Sequence, residues 1–272
     1  MLVAMKILQY NIFEGVRDPT VDINGKTARQ RPVDFIRSQD PDVVCLQEAN
    51  NWLDDNEKLA RDFGERIEMP HFFPGDSNTR FKLGTFSRLP METHRTRGFT
   101  EGFWHSALCT TINLTSDGDN PLDIWNVHLN PHGEDQRLVE AERLRNMIGT
   151  SRLALIVGDF NSLSRSDAYD PEMINSLREK GVRKFGEDEL RYDVTDFFTR
   201  QGFVDLAQKF DAATSTVPTP ASKDHFHAEQ LRLDYAMATP TLADLVVGIE
   251  TIKTPETGTI SDHYPTVLEI KL

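Results

Sequence analysis

The segment LALIVGDFNS, residues 153–162, carries the reading of the fold. Leu153 to Val157 has the length of one strand and is apolar throughout, the pattern of a strand covered on both faces. It stops at Gly158, and chemistry follows. In extended backbone Asp159 and Asn161 point to one side and Phe160 to the other, so a carboxylate and an amide share a pocket above an apolar anchor. An acceptor beside a donor can hold and deprotonate a water. Read alone, the segment is equally a turn after a strand, for which Gly, Asp and Asn are ordinary residues.

Three more apolar runs end the same way: Met5 to Tyr10 runs into Asn11, Val43 to Leu46 into Gln47 and Glu48, and Leu122 to Val127 into His128. Side chains at strand ends are where sheet-based enzymes place their sites, so the four runs imply a common reactive edge. Between them lie helices. Leu138, Ala141, Leu144 and Ile148 recur at helical spacing over Glu134 to Ile148, with Gly149 as a stop, and a second helix is expected over Arg31 to Ser38, closed by Pro41. Strand, helix, strand thus occurs twice, once from Asn11 to Glu48 and once from His128 to Asp159, which suggests two similar layers facing each other. Residues 64–102 read as loops around a strand near Leu83 to Phe86. Residues 164–192 read as a polar insertion with helical content at Pro171 to Lys180. No stretch resembles an interdomain linker, and one domain over residues 1–272 is expected.

Hydrophobic residues make up 38% of the 272 and charged ones 27%, enough for a sizeable core and far from a disordered profile. No run approaches the ~20 apolar residues of a membrane span, and MLVAMKILQYNIF lacks the features of a secretory signal, so a cytoplasmic location is expected. Cys45 and Cys109 form no CxxC and are read as small core residues. A net charge of −13 suits a nucleic-acid binder poorly, because such proteins neutralise phosphates with clustered Lys and Arg. The one basic cluster is Arg88, His94, Arg95 and Arg97.

Further chemistry sits near the C-terminus. In SDHYPTVLEI, residues 261–270, Pro265 biases Tyr264 toward extended geometry, so Asp262 and His263 stand at the entry of a strand. An imidazole there needs an orienting acceptor, and Asp234 in LRLDYAM is a carboxylate in a strand-like run, costly unless paired. Glu48 is a hard oxygen ligand suited to Mg²⁺ or Mn²⁺, and no His or Cys cluster of the kind zinc calls for is visible. Asn11 can orient Glu48 or touch the metal. Taken singly, each of these residues also has an ordinary structural role open to it.

Taken together they resemble the endonuclease/exonuclease/phosphatase superfamily, which includes deoxyribonuclease I, abasic-site endonucleases, sphingomyelinases, inositol polyphosphate phosphatases and deadenylases. YNIFEG, LQE, GTFSRLP, NVHL, GDFNS, LRLDY and SDH match its motifs in order and nearly end to end. The resemblance implies an α/β, four-layer α/β/β/α sandwich of two packed mixed sheets. It implies a Mg²⁺ (or Mn²⁺) cofactor held by Glu48 with Asn11 and Asp262, a water positioned by Asp159 and Asn161, His263 oriented by Asp234, and His128 acting on the phosphate oxygens or the leaving group. Catalysis would be chiefly electrostatic and positional. Asp159, His263 and a metal hydroxide all suit the role of general base. The loop SKDHFHAEQ departs from the pattern; His225 and His227 there are expected to be loop histidines able to line a substrate pocket or take a second metal, and Arg88 is the other candidate substrate contact.

The expected function is metal-dependent hydrolysis of a phosphate ester in a small molecule or lipid head group. A nuclease with a local basic rim is the alternative, and a non-catalytic binding protein on the same fold is a third reading.

Overall fold

The computed structural model describes residues 4–16, 30–92, 94–114 and 120–271. Along these residues the strands are β1 (Ala4–Asn11), β2 (Val43–Gln47), β3 (His71–Gly75), β4 (Leu83–Ser87), β5 (Arg97–Phe99), β6 (Ser106–Asn113), β7 (Pro121–His128), β8 (Ala154–Asp159), β9 (Val204–Asp205), β10 (Asp234–Ala238), β11 (Val246–Thr251) and β12 (Thr266–Lys271). They form two six-stranded mixed sheets, ordered β11-β12-β1-β2-β4-β3 and β5-β6-β7-β8-β10-β9. Each is built around one parallel pair, β1 with β2 and β7 with β8, flanked by antiparallel neighbours. The helices Gln30–Gln39 and Glu134–Ile148 are the two crossovers, so the strand-helix-strand echo is a structural repeat.

Strand periodicity explains the layers. Met5 and Ile7 of β1 and Val43 and Cys45 of β2 share one apolar core with Leu122 and Ile124 of β7, Leu155 and Val157 of β8, and Ala236 and Ala238 of β10. The alternate residues point outward. Leu8, Tyr10, Val44 and Leu46 pack on the helices Gln30–Gln39 and Asp54–Arg66 through Val33, Ile36, Ala60 and Phe63. Trp125, Val127, Ile156 and Met237 pack on Ala141, Leu144 and Phe198 of the helices Glu134–Ile148 and Asp193–Arg200. The result is helix, sheet, sheet, helix.

Following the inward side chains toward the strand ends shows how the site is positioned. In β1 they run Met5, Ile7, Gln9, Asn11; in β7, Leu122, Ile124, Asn126, His128; in β8, Leu155, Val157, Asp159. The inter-sheet layer therefore changes from aliphatic to amide to ionisable along one direction. The amides pair across the gap: Gln9 Nε2 donates to Gln47 Oε1 at 2.7 Å, Gln47 Nε2 to Asn126 Oδ1 at 2.7 Å, and Asn126 Nδ2 to the carbonyls of Leu46 and Gly84 at 3.1 Å each.

Residues 64–102 hold more order than expected. β3 pairs with the expected strand, β5 adds an edge to the other sheet, and just before them Asp54–Arg66 is helical apart from left-handed backbone at Asp55, Asn56 and Glu57, burying only Ala60, Phe63 and Gly64. β3 carries Pro74 and lies at the sheet edge, where a missing N–H costs least. The insertion contains the helix Met173–Glu179. Both cysteines are buried and unpaired. Among the described residues no helix is long and apolar enough to cross a membrane.

Candidate active site

The two parallel pairs deliver their last residues to one rim. β8 brings Asp159 level with His128 on β7 and with Asp234 on β10. Gly158 makes this approach possible, because at its φ of 140° a Cβ would lie 2.0 Å from the Val127 carbonyl oxygen. On the other sheet Asn11 pairs with Gln47, so Glu48 is the next residue out. Glu48 and Asn161 both have left-handed backbone, at φ 61° and 52°, a conformation that side chains bearing a Cβ adopt at a cost.

Asn11 joins the sheets: its Nδ2 lies 3.3 Å from Glu48 Oε1 and 3.3 Å from Asp159 Oδ2. Its Oδ1 accepts from the Phe13 N–H, and Glu48 Oε2 accepts from the Glu14 N–H at 2.7 Å. Asp234 Oδ2 meets His263 Nδ1 at 2.7 Å, leaving His263 Nε2 3.7 Å from Asp159 Oδ2. His128 Nε2 reaches the same oxygen at 3.4 Å. Thus Asn11, His128 and His263, far apart along the chain, converge on Asp159, with Glu48 joined through Asn11 and Asp234 through His263. Glu48, His128, Asp159, Asn161, Asp262 and His263 line one pocket of about 330 Å³.

Asn161 arrives differently from the expectation of two side chains on one side of a strand. β8 ends at Asp159, and the chain turns so that the Asn161 N–H donates to Asp159 Oδ1 at 2.8 Å. Its amide donates to the Leu129 carbonyl and accepts from Lys184 Nζ at 2.8 Å. Arg88 is not part of the site. β4 runs antiparallel to β2, so Arg88 emerges at the opposite rim, 2.6 Å from Asp40 Oδ1. Arg95 of the same basic cluster pairs with Asp123, also away from the site. The two loop histidines separate: His225 is exposed, whereas His227 is buried with Nδ1 3.7 Å from Asp262 Oδ2.

The electrostatics follow from burial beside carboxylates. Burial, with the charge of Asp262 adding to it, pushes the Glu48 carboxyl up to about 8. Burial would lower His263, but the carboxylates of Asp234 and Asp159 overcome it and raise the imidazole to about 10. For His128 burial dominates, with the charges of His263 and Lys184 adding to it, and drops the imidazole to about 3; among the described residues its Nδ1 is buried without a hydrogen-bond partner. Burial and the nearby Arg137 lower Lys184 to about 8.

Sequence reading missed Lys184, His105 and the bracing of the site by the helix Glu134–Ile148. His105 stacks on His128 with centroids 4.2 Å apart, and its Nδ1 is 2.6 Å from Thr79 Oγ1. The helix buries Glu134, Arg137 and Glu140 alongside its apolar residues. Arg137 donates to the carbonyls of Asn130 and Lys184, and Glu140 accepts from the N–H groups of Trp104 and Asn130. Charged residues on a buried face leave no trace in hydrophobic periodicity, and no motif marks Lys184.

Two mixed sheets with outer helices, presenting carboxylates, amides and imidazoles along one rim, define the class of phosphoester hydrolases. The model described as "Endonuclease/Exonuclease/phosphatase family" matches residues 8–263, and the chain belongs to that family. No curated protein matches in sequence. Among solved structures, an AP endonuclease from Archaeoglobus fulgidus is 20% identical at a TM-score of 0.69, with 98% of this chain and 100% of that one covered. The 3′ phosphatase NExo from Neisseria, bound to a product DNA hairpin, is 17% identical at 0.68 over 98% and 100%. The mannosyl-6-phosphatase Bt3783 from Bacteroides thetaiotaomicron VPI-5482 is 15% identical at 0.63 over 98% and 100%. Likeness at these identities is one of fold.

Proposed function

We propose that this chain hydrolyses a phosphate ester of a small molecule or lipid head group by attack of water at phosphorus, assisted by Mg²⁺ or Mn²⁺. The observation that carries the reading is the convergence of Glu48 and Asn11 from one sheet with His128, Asp159 and Asp234 from the other. A divalent cation fits the donor set: burial and the charge of Asp262 raise the proton affinity of Glu48, while burial and the charges of Asp224 and Asp159 raise that of Asp262, a concentration of negative charge that a cation relieves. Glu48 and Asp262 would hold it with Asn11 in support, and when bound it supplies a positive charge against the phosphate oxygens.

Asp159 and Asn161 position the attacking water. Asp234 keeps His263 as an imidazolium, so His263 donates to a phosphate oxygen and Asp159 takes the proton of the water. His128, neutral in its buried seat, offers a hydrogen bond to the phosphate or to the leaving oxygen. Lys184 adds charge on the Asn161 side. Assay of phosphorylated sugars, nucleotides, inositol phosphates, phospholipids and oligonucleotides with Mg²⁺ or Mn²⁺ is expected to reveal turnover that Asp159→Asn and His263→Ala abolish without unfolding the chain. Full turnover in both variants on the best substrate rejects the assignment.

Nucleic acid is the second reading, favoured by the DNA hairpin and abasic-site chemistry named for two similar structures. Salt separates the two. A nuclease loses affinity steeply as salt rises because phosphate contacts release counterions, while a small-substrate enzyme changes far less. The net charge of −13 and the placement of Arg88 and Arg95 away from the site support the small substrate.

A further inference from the structure

His227, Asp262 and His263 are buried together, with one ligand-capable atom from each lying within 4.8 Å of the others. The contacts of His227 are arranged about its two nitrogens. Nε2 lies 3.8 Å from Asp224 Oδ2; Nδ1 faces Asp262 Oδ2 at 3.7 Å and has Ser222 Oγ at 3.4 Å. The His227 ring stands edge-on to that of His263, whose Nδ1 is committed to Asp234.

The gap between His227 Nδ1 and Asp262 Oδ2 is too long for a hydrogen bond. It lies between the roughly 3 Å that separates adjacent ligands about 2.1 Å from a metal and the roughly 4.2 Å that separates opposite ones, so a small side-chain adjustment brings both atoms onto one cation. Asp224 Oδ2, 3.8 Å from Nε2, is likewise beyond hydrogen-bond reach and places negative charge at the far edge of the ring.

We propose that His227, through Nδ1, is a ligand of a divalent first-row transition-metal ion held jointly with Asp262, and that Asp224 supports it with negative charge at the other edge of the imidazole. The inference rests on the reading above in one respect, that Asp262 serves a cation at this rim. It adds a nitrogen donor to an otherwise oxygen set. Imidazole suits iron, nickel, copper and zinc, whereas Mg²⁺ prefers oxygen, so the added nitrogen favours a transition metal, of which Mn²⁺ is the weakest-binding but spectroscopically readable member.

The test uses the full chain and Mn²⁺ itself, read by calorimetry and by the ¹⁴N modulation that a coordinated imidazole imposes on the Mn²⁺ electron spin echo. The wild type is expected to show nitrogen coupling. His227→Gln is expected to lose it and to bind Mn²⁺ about 10- to 100-fold more weakly, with Mg²⁺ affinity changed by less than about threefold because a hard ion draws little from imidazole. Asp224→Asn is expected to keep the coupling and weaken Mn²⁺ binding, which separates a lost charge beside the ring from lost folding. The proposal is overturned if coupling and Mn²⁺ affinity persist in His227→Gln, or if coupling disappears only in His263→Gln. Glu48→Gln tests the parent reading separately: turnover lost with the nitrogen coupling intact leaves both standing, whereas turnover retained with the coupling intact removes the role of Glu48 and not that of His227.

Discussion

Gln9 Nε2, on the first sheet, donates to Asp234 Oδ1, on the second, at 2.8 Å. The other oxygen of Asp234 holds His263, which precedes β12 of the first sheet, so the orientation of this rim histidine is set through the second sheet by a Gln9 side chain that does not line the pocket. Gln9 is also the start of the amide chain through Gln47 to Asn126. These groups occupy the plane where the inter-sheet core passes from aliphatic to ionisable, and a buried polar chain is stable only when its members are paired.

Gln9→Leu is expected to remove the donors to Gln47 and Asp234 while keeping much of the volume. Leaving a buried acceptor unpaired costs about 1–3 kcal/mol, which in a domain of this size lowers the melting temperature by roughly 2–4 °C per kcal/mol. Turnover should fall further than Tm suggests, because Asp234 loses its anchor, while KM changes little. Unchanged kcat in a destabilised variant would confine Gln9 to a structural role.

Much of this was readable in the chain. The rim residues follow apolar runs at Asn11, Glu48, His128 and Asp159, and the two crossover helices stood out by periodicity or by their flanks. The period-2 series Met5, Ile7, Gln9, Asn11 and Leu122, Ile124, Asn126, His128 already contain the polarity gradient. What escaped was set by tertiary contact. Lys184 enters the pocket because buried Arg137 holds its carbonyl, and His227 is buried while His225 is exposed because a loop has no fixed alternation. Arg88 was misplaced because antiparallel β4 carries its far end to the opposite rim, a direction that the segment alone does not encode.

The Asp234–His263 pair makes stability depend on pH in metal-free protein. The folded imidazole titrates at about 10 against an ordinary value near 6.5, so its contribution is fully present below pH 6.5 and is lost as pH rises through 10. Glu48, raised to about 8, acts with the same sign up to that pH, and Lys184, lowered to about 8, opposes the histidine above it. Between pH 6.5 and 8 unfolding free energy should therefore fall, with the histidine supplying up to about 1.4 kcal/mol per pH unit. Urea titrations across that window should show the slope in wild type and a flatter one in Asp234→Asn. Equal slopes would mean that Asp234 does not hold the proton on His263.

Lys184→Met keeps an unbranched stem of similar length and removes the charge next to Asn161. A buried lysine facing a phosphate site contributes a charge-assisted contact, worth about 1.5–3 kcal/mol, so kcat/KM should drop by roughly 10- to 100-fold. Stability should change little or rise, since burying the ammonium is itself unfavourable. Wild-type kcat/KM in this variant would place Lys184 outside the reaction. Arg137→Met should also lower kcat/KM, by releasing the Lys184 and Asn130 carbonyls, but with a clear loss of Tm that Lys184→Met lacks.

Cation binding can be read without any substrate. A ligand that binds only the folded state stabilises it by about 2.7 kcal/mol at one hundred times its dissociation constant, which corresponds here to a rise in Tm of roughly 5–10 °C. Adding Mg²⁺ or Mn²⁺ to chelator-treated protein should give such a rise, and chelator should reverse it. Glu48→Gln should begin with a higher metal-free Tm than wild type, because it removes a carboxyl that burial and Asp262 disfavour in its charged form. The same variant should then gain little from the cation. These two shifts are opposite in sign and share one cause, the repulsion between Glu48 and Asp262 that a cation offsets, so a variant that starts no higher and still gains the full increment would place the cation elsewhere.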